Sequence, residues 1–417
     1  MKLSTSIDWS RYRLTPFRII AIFALMLVME AGVSVAQFSS AREGVLPGGA
    51  AVGGDFIAFY AAGHAALEGD AAATYTRETF EEKLKEVGPP LERFGLTWQY
   101  PPTYFFAVIP FALLGFIPGY LLWTGGTALG FFAALRGAGY RGLILFAIFA
   151  APATFQAAIT GQNGFLTAAL ITLAALYPDK RPVVAGLAAA LLTVKPQLGL
   201  LIPIAYLAGG CWRAFFTAAI GSVALALASY GAFGAETWTA FVEGARAASD
   251  NLAAGLMPIY KMGTPYSAAR YAGLPAEIAS VFQIVFALGG AALVGLVWRR
   301  VREADLRAAV LASCVFLAAP YAYYYEFVIL ALPAAVLAKR GMEHGWLRFE
   351  AVALSLMFAL PLFTTSSSHE GGISLGFIIV LITVANVIRR VAHEEPDALR
   401  ASARKVEAGF RQADATN

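Results

Sequence analysis

Asp55, in the run Gly53-Gly54-Asp55-Phe56-Ile57-Ala58-Phe59-Tyr60, places a carboxylate just beyond a long apolar segment and at the start of a helix. Phe56, Phe59, Tyr60, Gly63 and Leu67 recur at helical spacing and give that helix one apolar face. A carboxylate in this position has two possible jobs. It can cap the helix by accepting from free backbone N–H groups, the commoner role for an Asp before a helix, or it can act as general base on a substrate hydroxyl. His64, further along the same helix, reads as structural, the commoner role for a lone histidine.

Lys195 lies in the middle of an otherwise apolar run, 183–207, together with Gln197. A charge there is costly, and by default it marks function. Its ammonium either snorkels to an interface, pairs with Glu30 in the first apolar run, or faces an anionic group such as a lipid phosphate. In Gly161-Gln162-Asn163-Gly164 the two amides can donate to a sugar or a phosphate, and the same residues also make a plain turn between helices. Pro320-Tyr321-Ala322-Tyr323-Tyr324-Tyr325-Glu326 joins four tyrosines to a carboxylate. An interfacial aromatic belt explains the rings, as does stacking on sugars, but no belt requires Glu326. Between Lys261 and Arg270 a polar stretch offers two cations. Arg270 suits a phosphate clamp, whereas Lys261 reads equally well as part of a solvated loop. Cys211 and Cys314 fall at or within apolar segments and read as packing residues, and no cluster has metal-ligand spacing.

The elements that hold these residues are membrane helices. Of 417 residues, 59% are hydrophobic and 14% charged, with mean hydropathy +0.64, more apolar surface than one globular core can hide. The fold class is therefore an all-α polytopic membrane protein. The net charge of +4 sits mainly on loops of one side, a topology signal that implies no nucleic-acid partner. Lys2, Arg11, Arg13 and Arg18 against Asp8 precede an uncleaved span from Phe17 to Phe38, so the N-terminus is expected in the cytoplasm and the Gly53 stretch outside.

Residues 39–100 form a first outside loop. It carries the Asp55 helix and a second amphipathic piece, with Phe80, Leu84 and Val87 opposite Glu81, Glu82, Lys85 and Glu86, and such helices are expected along the membrane surface. Residues 101–135 make either two spans broken near 115–119 or one bent span, and the runs 142–159, 165–177 and 183–207 follow. If every run crosses, Gln162 lies inside. If 101–135 is one bent span and 183–207 is re-entrant, Gln162 and Lys195 lie outside, the count favoured by Arg136, Arg141, Lys180 and Arg181. After a span ending near Phe233 comes a second outside loop, 234–275. Spans are then expected near 276–298, 308–321, 327–338, 349–363 and 373–388, with the loops Arg299–Arg302 and Lys339-Arg340 and the exit at Arg389-Arg390 on the cytoplasmic side. The total is about 11–13 transmembrane helices in a membrane domain of residues 1–390, followed by a cytoplasmic tail, 391–417.

Taken in order, Asp55 with Phe59-Tyr60, Gly69 and Tyr75, then Tyr100-Pro101-Pro102, Gly161-Gln162-Asn163, Lys195-Pro196-Gln197 and the Pro320–Glu326 block resemble glycosyltransferase family 87 over about residues 55 to 330. Mycobacterial polyprenol-phosphate-mannose-dependent mannosyltransferases are its familiar members. The resemblance implies a GT-C-like bundle in the plasma membrane, with an inverting hexosyltransferase activity on its outer face. The donor would be a polyprenyl-phosphate sugar, mannose first, and the acceptor a lipid or glycan. Asp55 would be the catalytic base, and Tyr60, Tyr100, Gln162, Asn163, Lys195, Arg270, Tyr325 and Glu326 would bind donor phosphate or sugar. No cofactor is implied, although a loosely held divalent ion beside Asp55 stays compatible with the chemistry. Where actinobacterial members carry Trp and His in the late motif, this chain has Tyr323 and Tyr325, so no imidazole role is implied there. Two other classes fit parts of the pattern, a lipid or solute transporter and a polysaccharide polymerase or ligase. A transporter should show paired halves with matching interrupted helices, and the loops at 39–100 and 234–275 carry no matching motifs.

Overall fold

A computed structural model describes residues 16–91, 96–364 and 372–396. Lys2, Asp8, Arg11, Arg13, the side chain of Arg18 and tail residues 397–417 lie outside the described residues.

The first helix, α1 (Pro16–Ser39), is 24 residues of mainly Ala, Ile, Leu, Val, Met and Phe. At 1.5 Å per residue it is about 36 Å long, enough for a hydrocarbon layer of about 30 Å. A turn leads to α2 (Phe56–Leu67), and here the structure corrects the expectation of a surface-lying amphipathic helix. Every residue from Phe56 to Gly63 is buried, because α3 (Arg77–Val87), α4 (Phe105–Ala112) and α5 (Phe116–Gly137) pack around α2. Enclosing Phe56 and Phe59 completely contributes about 1.5–3 kcal/mol each. The expected amphipathic character belongs to α3, which buries Phe80 and Leu84 and turns Lys83 and Lys85 outward to Glu68 (2.6 Å) and Glu81 (2.9 Å).

Proline and glycine break the next apolar runs. Leu113–Gly115 separates α4 from α5, and Pro152 separates α6 (Leu143–Phe149) from α7 (Pro152–Ile159). Beyond the Gly161–Gly164 turn come α8 (Gly164–Leu176), α9 (Pro182–Leu191) and α10 (Ile202–Ala208), with two 3-10 turns around Lys195 between the last two. The next helix, α11 (Trp212–Ala253), extends 42 residues, kinked at Gly234 (φ +81°). It continues through the region expected as a loop from residue 234, and its Phe241 packs 5.9 Å from Tyr75. The remaining helices are α12 (Pro265–Tyr271), α13 (Ala276–Arg300), α14 (Ala304–Ala318), α15 (Ala331–His344), α16 (Glu350–Ala359) and α17 (Leu375–Glu394). Every residue of α14 from Leu306 onward is buried, as a helix that is apolar on nearly every side requires, with Arg307 paired to Asp179.

Among the described residues, four helices are long and apolar enough by length and composition to cross a membrane: Ile20–Ser39 within α1, then α11, α13 and α17. Other apolar runs form shorter helices, such as α8. The bundle has two chemically distinct ends. At one, Arg340 pairs with Asp305, Glu394 (2.6 Å) and Glu303 (3.1 Å), Arg390 with Glu350 and Glu394, and Arg307 with Asp179. At the other, Thr264 Oγ1 donates to the Pro320 carbonyl (3.3 Å) and Ser374 Oγ to that of Met262 (3.5 Å). Helices α14 and α17 join the two ends, about 22 and 30 Å long. Cys211 Sγ lies 3.5 Å from Asp179 Oδ1 at the arginine end, so the chain between them climbs to Lys195 and returns. Residues 182–208 thus form a hairpin with Lys195 between its two arms.

Candidate active site

Gly161 has φ +59°, and a Cβ there would lie 2.2 Å from the Gly53 carbonyl oxygen. Only glycine allows the 161–164 turn to touch the Gly53–Asp55 turn backbone to backbone, and Asp55 N–H donates to the Thr160 carbonyl at 2.8 Å. Gly164 does the same on the other side, where a Cβ would meet the Tyr325 carbonyl oxygen at 2.2 Å. Three segments far apart in sequence, around 55, 162 and 325, are therefore held in direct backbone contact.

Asp55 occupies the N-cap position of α2 but has helical dihedrals and makes no side-chain capping bond. Its Oδ2 instead accepts from Gln162 Nε2 at 2.9 Å. Gln162 Oε1 accepts from the Tyr100 hydroxyl (3.1 Å) and from Asn163 N–H (3.3 Å). Tyr100 is itself fixed through its carbonyl, which accepts from Tyr75 OH at 2.7 Å, and through its ring, 5.6 Å from Phe59. The capping role is thus corrected: the carboxylate is aimed away from the helix and oriented by an amide. Burial raises the Asp55 pKa above the ordinary carboxylate value, opposed by the Gln162 hydrogen bond and by the charges of Lys261 and Lys195. A carboxylate made more basic and held by one oriented donor has the properties of a general base.

Lys195 sits between the two 3-10 turns, buried, with its Nζ 3.1 Å from Asn163 Oδ1 and paired with Glu326. Its ammonium also faces the rings of Tyr325 (4.9 Å) and Tyr100 (5.6 Å). Glu326, completely buried, accepts Tyr323 N–H on its other oxygen at 2.7 Å. The reading of Lys195 as a partner of Glu30 is therefore corrected, since Glu326 takes that place. The Tyr323 and Tyr325 rings stack at 5.6 Å, and Met262 pairs with Tyr323 across an isolated bridge, bringing the Lys261 loop to the same wall.

The structure brings together Asp55, Tyr100, Gln162, Asn163, Lys195, Tyr325 and Glu326. It does not bring in Tyr60 or Arg270. The Tyr60 hydroxyl donates to the Leu114 carbonyl (2.9 Å), and its ring lies against His64 (4.6 Å) and Phe116 (5.4 Å). Arg270 donates to the carbonyls of Leu274 (3.1 Å), between α12 and α13, and Ala253 (3.2 Å), at the end of α11. Sequence reasoning also missed Trp123, whose indole N–H donates to the Gly161 carbonyl at 3.0 Å. An indole in an apolar run needs a hydrogen-bond partner, which was the available signal. Among the described residues, no group of three or more His, Cys, Asp or Glu side chains converges to hold a metal ion.

Comparison with curated proteins gives no match. Comparison with solved structures gives none either. The family model for glycosyltransferase family 87 matches residues 98–322, which takes in Tyr100, Gln162, Asn163, Lys195, Lys261 and Arg270 and stops short of Asp55, Tyr325 and Glu326. With more than half of its length matched, the chain belongs to glycosyltransferase family 87: it is a membrane glycosyltransferase.

Proposed function

We propose that this glycosyltransferase moves a hexose, with mannose the first to test, from a polyprenyl-phosphate donor to a hydroxyl of a lipid or glycan acceptor at the outer face of the plasma membrane. The acceptor hydroxyl gives its proton to Asp55 as its oxygen attacks the anomeric carbon. The bond from that carbon to the phosphate oxygen breaks, and the electron pair leaves on the lipid phosphate. A single displacement inverts the anomeric configuration. The phosphate leaves readily, so the site has to supply positioning and charge stabilisation more than a second acid.

The observation that carries this reading is the Asp55 carboxylate, which stands at an N-cap without capping and is presented by Gln162 beside buried tyrosines. The outer-face assignment rests on the cluster of arginines at the opposite end of the bundle, since positive residues mark the cytoplasmic side. Both described ends, the start of α1 and the finish of α17, then face the cytoplasm. The test is to give purified protein in lipid nanodiscs labelled polyprenyl-phosphate mannose and, separately, the glucose analogue, with membrane lipid extract as acceptor. Label in a new product with inverted linkage is expected. Donors left intact under every acceptor condition, by folded protein, would refute the lipid-phosphate donor.

A further inference from the structure

Four charged side chains act on one another at the site: Asp55, Glu326, Lys195 and Lys261. The Lys195 ammonium is already committed to Glu326, Asn163 and two ring faces, and the residue is 4% exposed. Arg270 directs its guanidinium to the carbonyls of Leu274 and Ala253. Lys261 is different. It is half-buried, ends the 3-10 turn Ile259–Lys261, and forms no ion pair among the described residues. Its recorded neighbour is the Tyr260 ring at 5.7 Å. The backbone fixes its place: Met262 bridges to Tyr323, and Gly263 N–H donates to the Ala322 carbonyl at 3.0 Å. That register sets Lys261 beside the tyrosine wall of the site, where its charge, like that of Lys195, acts on Asp55.

Building on the lipid-phosphate donor reading above, we propose that Lys261 is the cation that takes the donor phosphate and holds the leaving group opposite Asp55. The chemistry suits a lysine. Before transfer the phosphate is a diester with one negative charge. As the bond to the anomeric carbon breaks, the departing oxygen gains a second charge while the acceptor proton passes to Asp55. An ammonium with three rotatable donors on a flexible stem follows that growing charge, an interaction stronger in the transition state than in the ground state. Lys195 then serves as a positioning residue, locking the 162–163 turn to the 323–326 segment.

The test measures binding of a polyprenyl monophosphate and of the polyprenol of the same chain length to protein in nanodiscs. Wild type should prefer the phosphate. Lys261→Gln should weaken phosphate binding about 10- to 100-fold, the range expected for a charged hydrogen bond, leave polyprenol binding unchanged, and be largely rescued in Lys261→Arg. Equal loss of both ligands in Lys261→Gln would mean a structural role and overturn the proposal. A wild type that prefers the phosphate, with a Lys261→Gln protein that keeps this preference, would overturn Lys261 alone. A wild type without the preference would refute the donor reading and the Lys261 proposal together.

Discussion

Replacing Asp55 by Asn tests the catalytic assignment with little structural disturbance. The side-chain oxygen of Asn can still accept from Gln162 Nε2, the 2.9 Å bond that Asp55 makes, and no capping bond is lost because Asp55 makes none. Burial raises the Asp55 pKa, so the folded protein holds the proton more tightly than the unfolded chain. The carboxylate therefore costs stability above its folded-state pKa, and this cost vanishes below its unfolded value. A neutral Asn escapes the cost, so the variant should melt at or above the wild-type temperature at pH 7. Loss of a general base should slow transfer about 10²- to 10⁴-fold, equivalent to about 2.7–5.4 kcal/mol of transition-state stabilisation.

Single-turnover transfer from a labelled donor would measure the rate, and donor binding to the same protein should stay at the wild-type level. The wild-type kcat/KM should rise with pH through the elevated Asp55 pKa, a limb that the variant lacks. Lys261, Lys195 and the phenols of Tyr100, Tyr323, Tyr324 and Tyr325 interact with this titration. The phenols stay protonated there, since burial raises the pKa of each of them. Undiminished single-turnover transfer by folded Asp55→Asn protein would refute the assignment. Glu326 could not readily take over, because it is fully buried and paired with Lys195.

Lys195→Met leaves Glu326 buried without its cation and should cost about 3–5 kcal/mol; thermal unfolding should show most of this recovered in Lys195→Met/Glu326→Gln, and an unchanged Tm in the single variant would contradict the buried pair. Gly161→Ala pushes a Cβ toward the Gly53 carbonyl, 2.2 Å away, and so displaces Asp55; about a 10²-fold loss of kcat is expected for a shift on the order of 1 Å, and wild-type kcat would argue against backbone contact there. For topology, cysteines at the exposed positions Glu82 and Arg302 should react with an impermeant reagent without and only with permeabilisation, respectively, against low background from buried Cys211 and Cys314. The reverse pattern would put the site on the cytoplasmic face.

Much of this architecture is legible because membrane helices announce themselves. The arginines after residue 298 stand where α13 ends, and the break near Gly115 stands where α4 gives way to α5, whereas α17 runs past Arg389-Arg390 to Glu394. What could not be read were the contacts across long separations. Glu326 and Glu30 are equally plausible partners for Lys195 until the 131-residue gap to Glu326 is closed in space. Neither the spacing around Asp55 nor its place before α2 reveals that Gln162, 107 residues on, takes its carboxylate away from the helix. Helix α2 looked amphipathic because periodicity records apolar positions, whereas burial on all sides depends on what packs against the small residues Ala58, Ala61 and Ala62.

The indole of Trp123 donates its hydrogen bond to Gly161, the residue next to Gln162, so the protein contains its own optical probe. Movement of the 161–164 turn changes the donor distance, and with it the polarity sensed by a buried fluorophore 5.4 Å from Phe59. Among the described residues, Trp123 is the tryptophan hydrogen-bonded to this turn, and a Trp123→Phe difference spectrum isolates its emission. Ligand arrival at the turn can then be followed in real time, in unlabelled protein and in any lipid.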